Sequence, residues 1–170
     1  MWDLKNKTVV ISGATNGIGK AAAIELSKEH PKLIFTYRNE SLAQGLLTEI
    51  KDLSPDIQIH PVYCDFSNQD SIKKCAEEIN GFCEEIDVLV NNAGVVNTSY
   101  HETSDGIENT FAINHLGYFL FTNLLLHKLK GEDETRIINV SSAAHSFVKE
   151  MQWQDINFKN NFKQGLRCYG

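Results

Sequence analysis

The sequence predicts an α/β fold in which a parallel sheet is covered by helices on both faces. Two observations lead to this prediction. Short apolar runs alternate with amphipathic helical patterns along the chain, and a glycine-rich turn follows the first apolar run. Strands that are buried on both faces are expected as such continuous apolar runs. At 170 residues, the chain has the length of a single domain, residues 1–170.

Five strands are predicted along the chain. They span Thr8–Ile11, Leu33–Tyr37, Gln58–Cys64, Val88–Val90 and Ile137–Val140. The third contains Pro61, which cannot donate a ladder hydrogen bond and is therefore expected in an edge strand. A doubly wound, Rossmann-type sheet with the strand order 3-2-1-4-5 puts this strand at an edge, and the sixth strand of that topology would lie beyond Gly170.

Helices are predicted between the strands from the spacing of apolar residues. The first two helices each place three apolar residues on one face, namely Ile18, Ala22 and Leu26, and then Leu42, Leu46 and Ile50. Ser67–Asp70 has the pattern of a capping box at the start of the third helix. A long helix is expected from about Asp105 to Lys130, with Gly131 as its C-cap. Phe147–Gly170 is the least regular stretch, and Gln152–Phe158 within it is predicted as loop or short helix.

Composition and charge favour some classes of function over others. The net charge of −6 argues against nucleic-acid binding, which draws on basic patches. The richest apolar stretch, Phe119–Leu126, is shorter than the roughly 20 residues of a membrane span, and the N-terminus lacks a signal-peptide core. We therefore expect a cytoplasmic protein without a membrane span. The four cysteines, Cys64, Cys75, Cys83 and Cys168, form no C-x-x-C pair, so free thiols and no metal site are expected.

The glycine-rich turn after strand one predicts a dinucleotide site. Its spacing is G-x-x-x-G-x-G. Gly13 permits a tight turn, Gly17 lets the backbone approach a pyrophosphate, and Gly19 allows the helix to pack closely on the strand. The helix that follows offers N–H groups and a positive dipole end to phosphates. The predicted contacts are Gly13, Thr15, Asn16, Gly17, Ile18 and Gly19; a purely structural turn is the alternative.

The end of strand two favours NADP(H) over NAD(H). An NAD site places a carboxylate about 20 residues after the glycines to bind the ribose 2′-OH. Tyr37 and Arg38 occupy this place, and the nearest carboxylate is Glu40. An arginine can bind a 2′-phosphate through a bidentate contact. The alternative for Arg38 is a solvated surface side chain.

Further motifs follow in a characteristic order. Asn91–Gly94 (NNAG) comes after strand four, Asn114–Gly117 (NHLG) lies in the long helix, Asn139–Ser142 (NVSS) ends strand five, and Tyr169 stands near the end. Together with the glycine turn, these motifs resemble the short-chain dehydrogenase/reductase family, and most of all its retinol dehydrogenase and carbonyl reductase branch. The long interval before Tyr169 suits an insertion in that branch. The resemblance extends over residues 7–170.

The resemblance implies an oxidoreductase that transfers a hydride between NADP and an alcohol or carbonyl substrate. It implies that Ser142 hydrogen-bonds the substrate oxygen, that Tyr169 transfers the proton, and that Asn114 holds a water molecule of a proton relay. A polar residue in helix packing is the alternative for Asn114. His145 is interpreted as a loop residue, since no nucleophile-elbow G-x-S-x-G is present.

The same resemblance implies where the adenosine half of the cofactor binds. The family contacts the adenine ring at the positions of Asp65 and Phe66. It lines the adenine ribose with the NNAG motif, here Asn92, Ala93 and Gly94. For Asp65, a carboxylate favoured by a helix dipole is the alternative. Full-length members of the family are expected to be homodimers.

The chain departs from the family pattern in two places. Ser12 stands where the family usually has threonine, and the family's lysine, four residues after the tyrosine, would fall beyond Gly170. Free tyrosine has a pKa of about 10 and is a poor base at neutral pH without such a lysine. We therefore expect the 170 residues alone to be inactive, with strand five as an open apolar edge. A truncated, non-catalytic isoform or fragment that retains nucleotide binding is the alternative function.

Overall fold

The computed structural model describes residues 3–129, 135–160, 162 and 169. Five strands form one parallel sheet in the order β3-β2-β1-β4-β5, which confirms the predicted Rossmann-type topology. The strands are β1 (Thr8–Ile11), β2 (Lys32–Tyr37), β3 (Ile59–Tyr63), β4 (Val88–Asn91) and β5 (Arg136–Asn139). Pro61 lies in the edge strand β3, opposite Phe35 of β2, as its missing N–H requires.

Helices connect the strands. They are α1 (Gly17–Ser27), α2 (Glu40–Leu53), α3 (Gln69–Phe82), α4 (Asn109–Phe111) and α5 (Gly117–Leu125). A π-helical segment, Ala112–Leu116, joins α4 to α5, and a 3₁₀ turn, Leu126–Lys128, follows. We refer to residues 109–128 as the long helix. Two more 3₁₀ turns, Ala143–Phe147 and Trp153–Asp155, follow β5, and the second lies in the region predicted as loop or short helix.

Both faces of the sheet are buried. The residues of β1 alternate between two hydrophobic clusters, with Val10 on one face and Val9 and Ile11 on the other. One cluster joins the sheet to α3 and α5, and the other joins it to α1 and α2. This two-sided burial explains why the strands appear in the sequence as continuous apolar runs.

The buried faces of α1 and α2 differ from the prediction. Ile18 is 73% exposed, and α1 instead buries Gly19, Ala23 and Ser27. In α2, Leu46 and Ile50 are buried as predicted, but Leu42 is 40% exposed and Ala43 takes its place. Small residues let these helices lie close to the sheet, so the contact face of α1 is rotated by one residue from the predicted face, whereas that of α2 differs only in its first turn.

The third helix is not capped by Ser67. Its N-cap is Asn68, whose side-chain oxygen accepts the Ser71 N–H at 2.9 Å. The Ser67 hydroxyl instead donates to the Asp65 carboxylate at 2.7 Å. The predicted capping box was therefore displaced by one residue, because the Ser67 side chain is used by the preceding turn.

The long helix begins later than predicted. Residues 103–107 form a turn in which Gly106 has φ +73°, and the Asp105 carboxylate accepts the Gln69 N–H at 3.1 Å. Glu108 then caps the helix, because its carboxylate accepts the N–H groups of Thr110 and Phe111. Glu108 itself is fully buried. Lys130 and Gly131, the predicted end and C-cap, lie outside the described residues.

Strand β5 forms an exposed apolar edge of the described sheet. All four of its residues are exposed, and Ile137 and Ile138 have exposed fractions of 43% and 46%. This agrees with the expected open edge. Such an edge presents unpaired backbone groups to other chains.

Three of the four cysteines lie among the described residues. Cys64, Cys75 and Cys83 are free and buried, whereas Cys168 lies outside the described part. A hydrogen bond with Cys75, together with burial, raises the pKa of the Cys64 thiol. Among the described residues, no group of three or more metal-binding side chains is present, and none of the helices combines the length and apolar character of a membrane span.

The core between α5 and the sheet is centred on Phe121. Its ring is fully buried and packs edge-to-face on Phe66 at 5.4 Å. We predict that Phe121→Ala lowers the free energy of unfolding by about 3–5 kcal/mol, because it leaves a cavity. Phe119 lies on the same helix and is 66% exposed, so Phe119→Ala should change stability by less than about 0.5 kcal/mol. Urea unfolding of both variants checks this, and equal losses would contradict the packing.

Candidate functional site

The carboxyl ends of β1 and β4 are joined by the hydroxyl group of Ser12. This buried oxygen accepts the N–H groups of Asn92 at 2.9 Å and Ala93 at 3.0 Å. The hydroxyl donates to the Val90 carbonyl at 3.4 Å. One side chain therefore satisfies two backbone donors of the NNAG turn, which lies at the sheet edge where ligands bind in this topology.

Two glycines permit the turns after β1 and β4 to touch. Gly13 has φ +64°, and a Cβ there would lie 2.6 Å from the Cα of Ala93. A Cβ on Gly19 would lie 2.3 Å from the side-chain nitrogen of Asn92. That nitrogen donates to the carbonyls of Ser12 and Gly13 at 2.9 and 3.1 Å. Larger residues at positions 13 and 19 would separate the two turns.

The N-terminus of α1 faces solvent and is uncapped. Asn16 is exposed and makes no side-chain cap, and Thr15 is half-buried. A Cβ on Gly17, which has φ +52°, would meet no atom within 4 Å. Ile18 is exposed beside it. This open helix end has the N–H groups and the space that a phosphate group requires.

Arg38 is exposed at the end of β2, and it has no ion pair among the described residues. The nearby carboxylate of Glu40 accepts from Gln44 at 2.8 Å. Hydrogen bonds from Gln44 and Tyr37 lower the pKa of Glu40. The hydrogen bond to Glu40, with burial, raises the pKa of Tyr37 to about 12. Glu40 is therefore engaged by its neighbours, whereas Arg38 is available to a ligand.

Asp65 and Phe66 have different environments. Asp65 is half-buried, and its carboxylate accepts the N–H and hydroxyl of Ser67. Phe66 is only 6% exposed and packs against Tyr118 and Phe121. The buried Phe66 side chain is therefore not available to contact adenine, contrary to the prediction. The ring fills the core beneath the long helix.

Asn114 links the long helix to the chain after β4. It lies in the π-helical segment, its amide nitrogen donates to the Val95 carbonyl, and its oxygen accepts the Val95 N–H, both at 2.9 Å. Gly94 lies beside it. A Cβ placed on this glycine would lie 3.4 Å from the side-chain oxygen of Asn114. π-Helical segments are common at functional sites. The asparagine thus has a packing role, which fixes its helix on the loop after NNAG.

Ser142 lies at the start of the 3₁₀ turn after β5. Its hydroxyl oxygen accepts the Ala144 N–H at 3.1 Å, and its carbonyl lies 2.8 Å from Nδ1 of His145. Ser142 is half-buried, whereas Ser141 is exposed. The hydroxyl of Ser142 keeps its proton for donation to another group. His145 lies in the same 3₁₀ turn and lines the cleft beside Ser142, and its hydrogen-bond partner there is the Ser142 carbonyl and not the hydroxyl.

An open cleft of about 1030 Å³ brings the predicted catalytic residues together. Asn114, Ser142 and Tyr169 all line it, and Asn92 and Gly94 line the same cleft next to the glycine turn. Two of the predicted cofactor contacts, Asn92 and Gly94, thus share a cleft with the predicted catalytic residues. Burial and, to a smaller extent, the neighbouring Tyr169 raise the pKa of Tyr118, another lining residue, to about 12.

Several residues of the site were not singled out from the sequence. The role of Ser12 as acceptor for the NNAG turn and the contact of Asn114 with the Val95 backbone are examples, since both depend on contacts between distant segments. The apolar wall of the cleft was also missed. It is formed by Phe111, Phe147, Val148, Met151 and Phe158. The irregular sequence after Ser142 gave no periodic signal for this wall, although its aromatic content was visible.

Comparison with known proteins identifies the family. The family model described as short chain dehydrogenase matches residues 7–154, which is most of the chain. The chain therefore belongs to the short-chain dehydrogenase family of oxidoreductases.

The relatives lie in the retinol dehydrogenase branch. Retinol dehydrogenase 13 of Homo sapiens is 36% identical over 156 residues, covering 92% of this chain and 47% of that protein. Retinol dehydrogenase 12 of Bos taurus is 38% identical over 163 residues, covering 96% of this chain and 51% of that protein. The chain thus spans about half the length of these curated relatives.

The solved structures agree with the fold. A crystal structure of an uncharacterized protein from Mycobacterium paratuberculosis superimposes with a TM-score of 0.84 at 29% identity, covering 98% of this chain and 57% of that one. The resemblance deduced from the sequence motifs is thereby confirmed at the level of family and fold.

We predict that Ser12→Ala weakens the junction of β1 and β4. Two buried N–H groups lose their acceptor, and each such loss costs about 1–3 kcal/mol. Ser146→Ala is the matched control, because that hydroxyl is exposed and should contribute less than about 0.5 kcal/mol. Thermal unfolding measures both. Equal melting temperatures for the two variants would show that the Ser12 hydroxyl does not hold the junction.

Proposed function

We propose that this chain forms the cofactor-binding and catalytic part of an NADP(H)-dependent oxidoreductase that interconverts an alcohol and a carbonyl compound. The observation that supports it is the single cleft that connects Asn92 and Gly94 with Asn114, Ser142 and Tyr169. A cofactor held at the glycine turn reaches this cleft without crossing the sheet. Catalytic groups at the carboxyl edge of a parallel sheet are the usual arrangement for this topology.

The residues at the glycine turn fit a dinucleotide. The exposed, uncapped start of α1 would hold the pyrophosphate, and the open space at Gly17 allows the close approach. Thr15, Asn16 and Ile18 would flank it. Asp65 would face the adenine, and the NNAG turn would line its ribose. Once bound, NADP(H) supplies the hydride chemistry, and the protein supplies orientation.

Arg38 supports NADP(H) over NAD(H). Its guanidinium group is exposed at the position where the ribose 2′ substituent is expected. A guanidinium group matches a phosphate through a bidentate contact. The carboxylate nearest in the sequence, Glu40, is engaged by Tyr37 and Gln44, so it competes poorly for a ribose hydroxyl.

Ser142 and Tyr169 carry the proton side of the reaction in this proposal. The Ser142 hydroxyl donates to the substrate oxygen and stabilises the charge that develops there. The Tyr169 hydroxyl gives a proton to that oxygen in reduction and takes it back in oxidation. Asn114 holds the long helix against Val95 and so keeps the opposite wall in place; in the family it also holds a relay water.

The cleft favours an apolar substrate. Aromatic and aliphatic side chains form the wall opposite the NNAG turn, including Phe111, Phe147 and Phe158. The relatives named retinol dehydrogenases suggest a primary alcohol with a long apolar part. We propose such an alcohol, or its aldehyde, as the substrate class.

The choice of cofactor can be tested at Arg38. We expect Arg38→Asp to weaken NADPH binding about tenfold to a hundredfold, because a charge-assisted contact contributes about 1.5–3 kcal/mol. Lys5→Asp makes the same change of charge before β1, at the opposite end of the strands, and should leave the affinity unchanged. Calorimetry with NADPH and NADH measures this. Equal affinity of the unmodified chain for both cofactors would refute the proposal.

The chemistry can be tested with the chain continued through the family's lysine. Tyr169→Phe should lower turnover by about 10²–10⁴-fold while NADPH still binds, because only the proton donor is lost. Ser142→Ala should lower kcat more than it raises KM. Ser141→Ala and Tyr118→Phe are matched controls, one exposed and one in the same cleft. NADPH oxidation with an aldehyde measures all four, and a Tyr169→Phe variant that keeps most of its rate would reject this assignment.

A further inference from the structure

A tight turn at residues 155–160 carries Phe158, one of the residues that line the cleft. The Phe158 N–H donates to the Asp155 carbonyl at 2.8 Å. The Asp155 carboxylate accepts the next two backbone N–H groups, those of Lys159 at 2.9 Å and Asn160 at 3.1 Å. Asp155 therefore accepts hydrogen bonds from the backbone of Phe158 and of the two residues that follow it.

Phe158 adopts an unusual backbone conformation within this turn. Its φ is +50°, in the left-handed region that favours glycine. A bulky residue in this region is uncommon and persists only when its surroundings hold it there. The two sets of hydrogen bonds from Asp155 are part of those surroundings.

Asn157 fastens the turn to the start of the long helix. Its side-chain oxygen accepts the Glu108 N–H at 3.1 Å, and its nitrogen donates to the Gly106 carbonyl at 3.4 Å. Glu108 is fully buried and caps the helix that carries Asn114. A salt bridge of 2.9 Å between Lys159 and Glu102 adds a second connection to the same loop.

The consequence of this anchoring is the position of the Phe158 ring. The ring is half-buried and lines the cleft with Phe111, Asn114 and Tyr169. Trp153 lies just before this turn, but it is 77% exposed and does not line the cleft. Of these two aromatic residues, only Phe158 can contact a molecule bound in the cleft.

We propose that Phe158 is a specificity-determining residue that selects substrates with an extended apolar part over small polar ones, and that Asp155 and Asn157 are positioning residues for its ring. The inference rests on the proposed function, because it takes this cleft as the substrate site. A ring that is already fixed in position loses little conformational entropy when a ligand binds. The binding free energy that it contributes grows with the apolar surface of the ligand that the ring buries. A small ligand held near Ser142 gains nothing from it.

Phe158→Gly provides the sharpest test, because it removes the ring and relieves the backbone. Glycine adopts φ +50° without steric penalty, which offsets part of the stability lost with the half-buried ring, so the variant should still fold. We measure binding of 1-octanol and 1-propanol by NMR titration without cofactor. The dissociation constant of 1-octanol should rise about tenfold, and that of 1-propanol should change by less than about twofold.

Two further variants separate specificity from structure. Trp153→Ala, the matched control, should leave both dissociation constants unchanged. Asn157→Ala should weaken 1-octanol binding in the same direction as Phe158→Gly, although it does not touch the ligand. If Phe158→Gly fails to fold, Phe158→Asn replaces it, because asparagine tolerates the left-handed region.

Stable variants that keep the preference for 1-octanol would overturn the proposal, as would an unmodified chain that shows no such preference. Equal loss of both alcohols in Phe158→Gly would also overturn it, because the ring would then be a structural element. The titration needs neither NADPH nor turnover. A failure of the proposed oxidoreductase function is seen separately, as absence of NADPH binding or of carbonyl reduction.

Discussion

The carboxyl ends of β1 and β4 meet through one buried hydroxyl group, and the ligand-binding edge of the sheet depends on this contact. The Ser12 oxygen accepts two N–H groups of the NNAG turn, and the Asn92 side chain returns two hydrogen bonds to carbonyls of the glycine turn. Gly13 and Gly19 leave no room for side chains between the turns. The constraint is therefore both polar and steric: each buried group needs its partner, and each glycine needs to remain a glycine.

The positions of the proposed catalytic side chains follow from that junction. The chain leaving NNAG contacts Asn114 through Val95, which fixes the long helix. On the other side, Asn91 is fully buried and donates to Asn139 of β5 at 2.8 Å, three residues before Ser142. Both walls of the cleft are thus held by hydrogen bonds to β4 or to the chain that follows it. This explains how residues that are far apart in the sequence come to line one cleft with Tyr169.

Much of the fold could be predicted because the relevant signals are local. The continuous apolar strands and Pro61 indicate the sheet order, and the glycine turn marks the first β–α connection. The rotation of α1 could not be predicted, since large side chains suggested a face with Ile18 while close packing selected Gly19 and Ala23. The burial of Phe66 depends on Gly117, where an added Cβ would lie 2.8 Å from the ring. The cleft wall at Phe158 depends on hydrogen bonds to a distant loop, which no sequence period reveals.

The central claim is that the glycine turn and the cleft form one continuous site for NADP(H) and substrate. A crystal structure of the chain in complex with NADPH tests this claim most directly. The account predicts the 2′-phosphate at Arg38, the pyrophosphate at the start of α1, and the nicotinamide in the cleft beside Ser142 and Tyr169. A cofactor bound elsewhere, or one whose nicotinamide points away from the cleft, would contradict it.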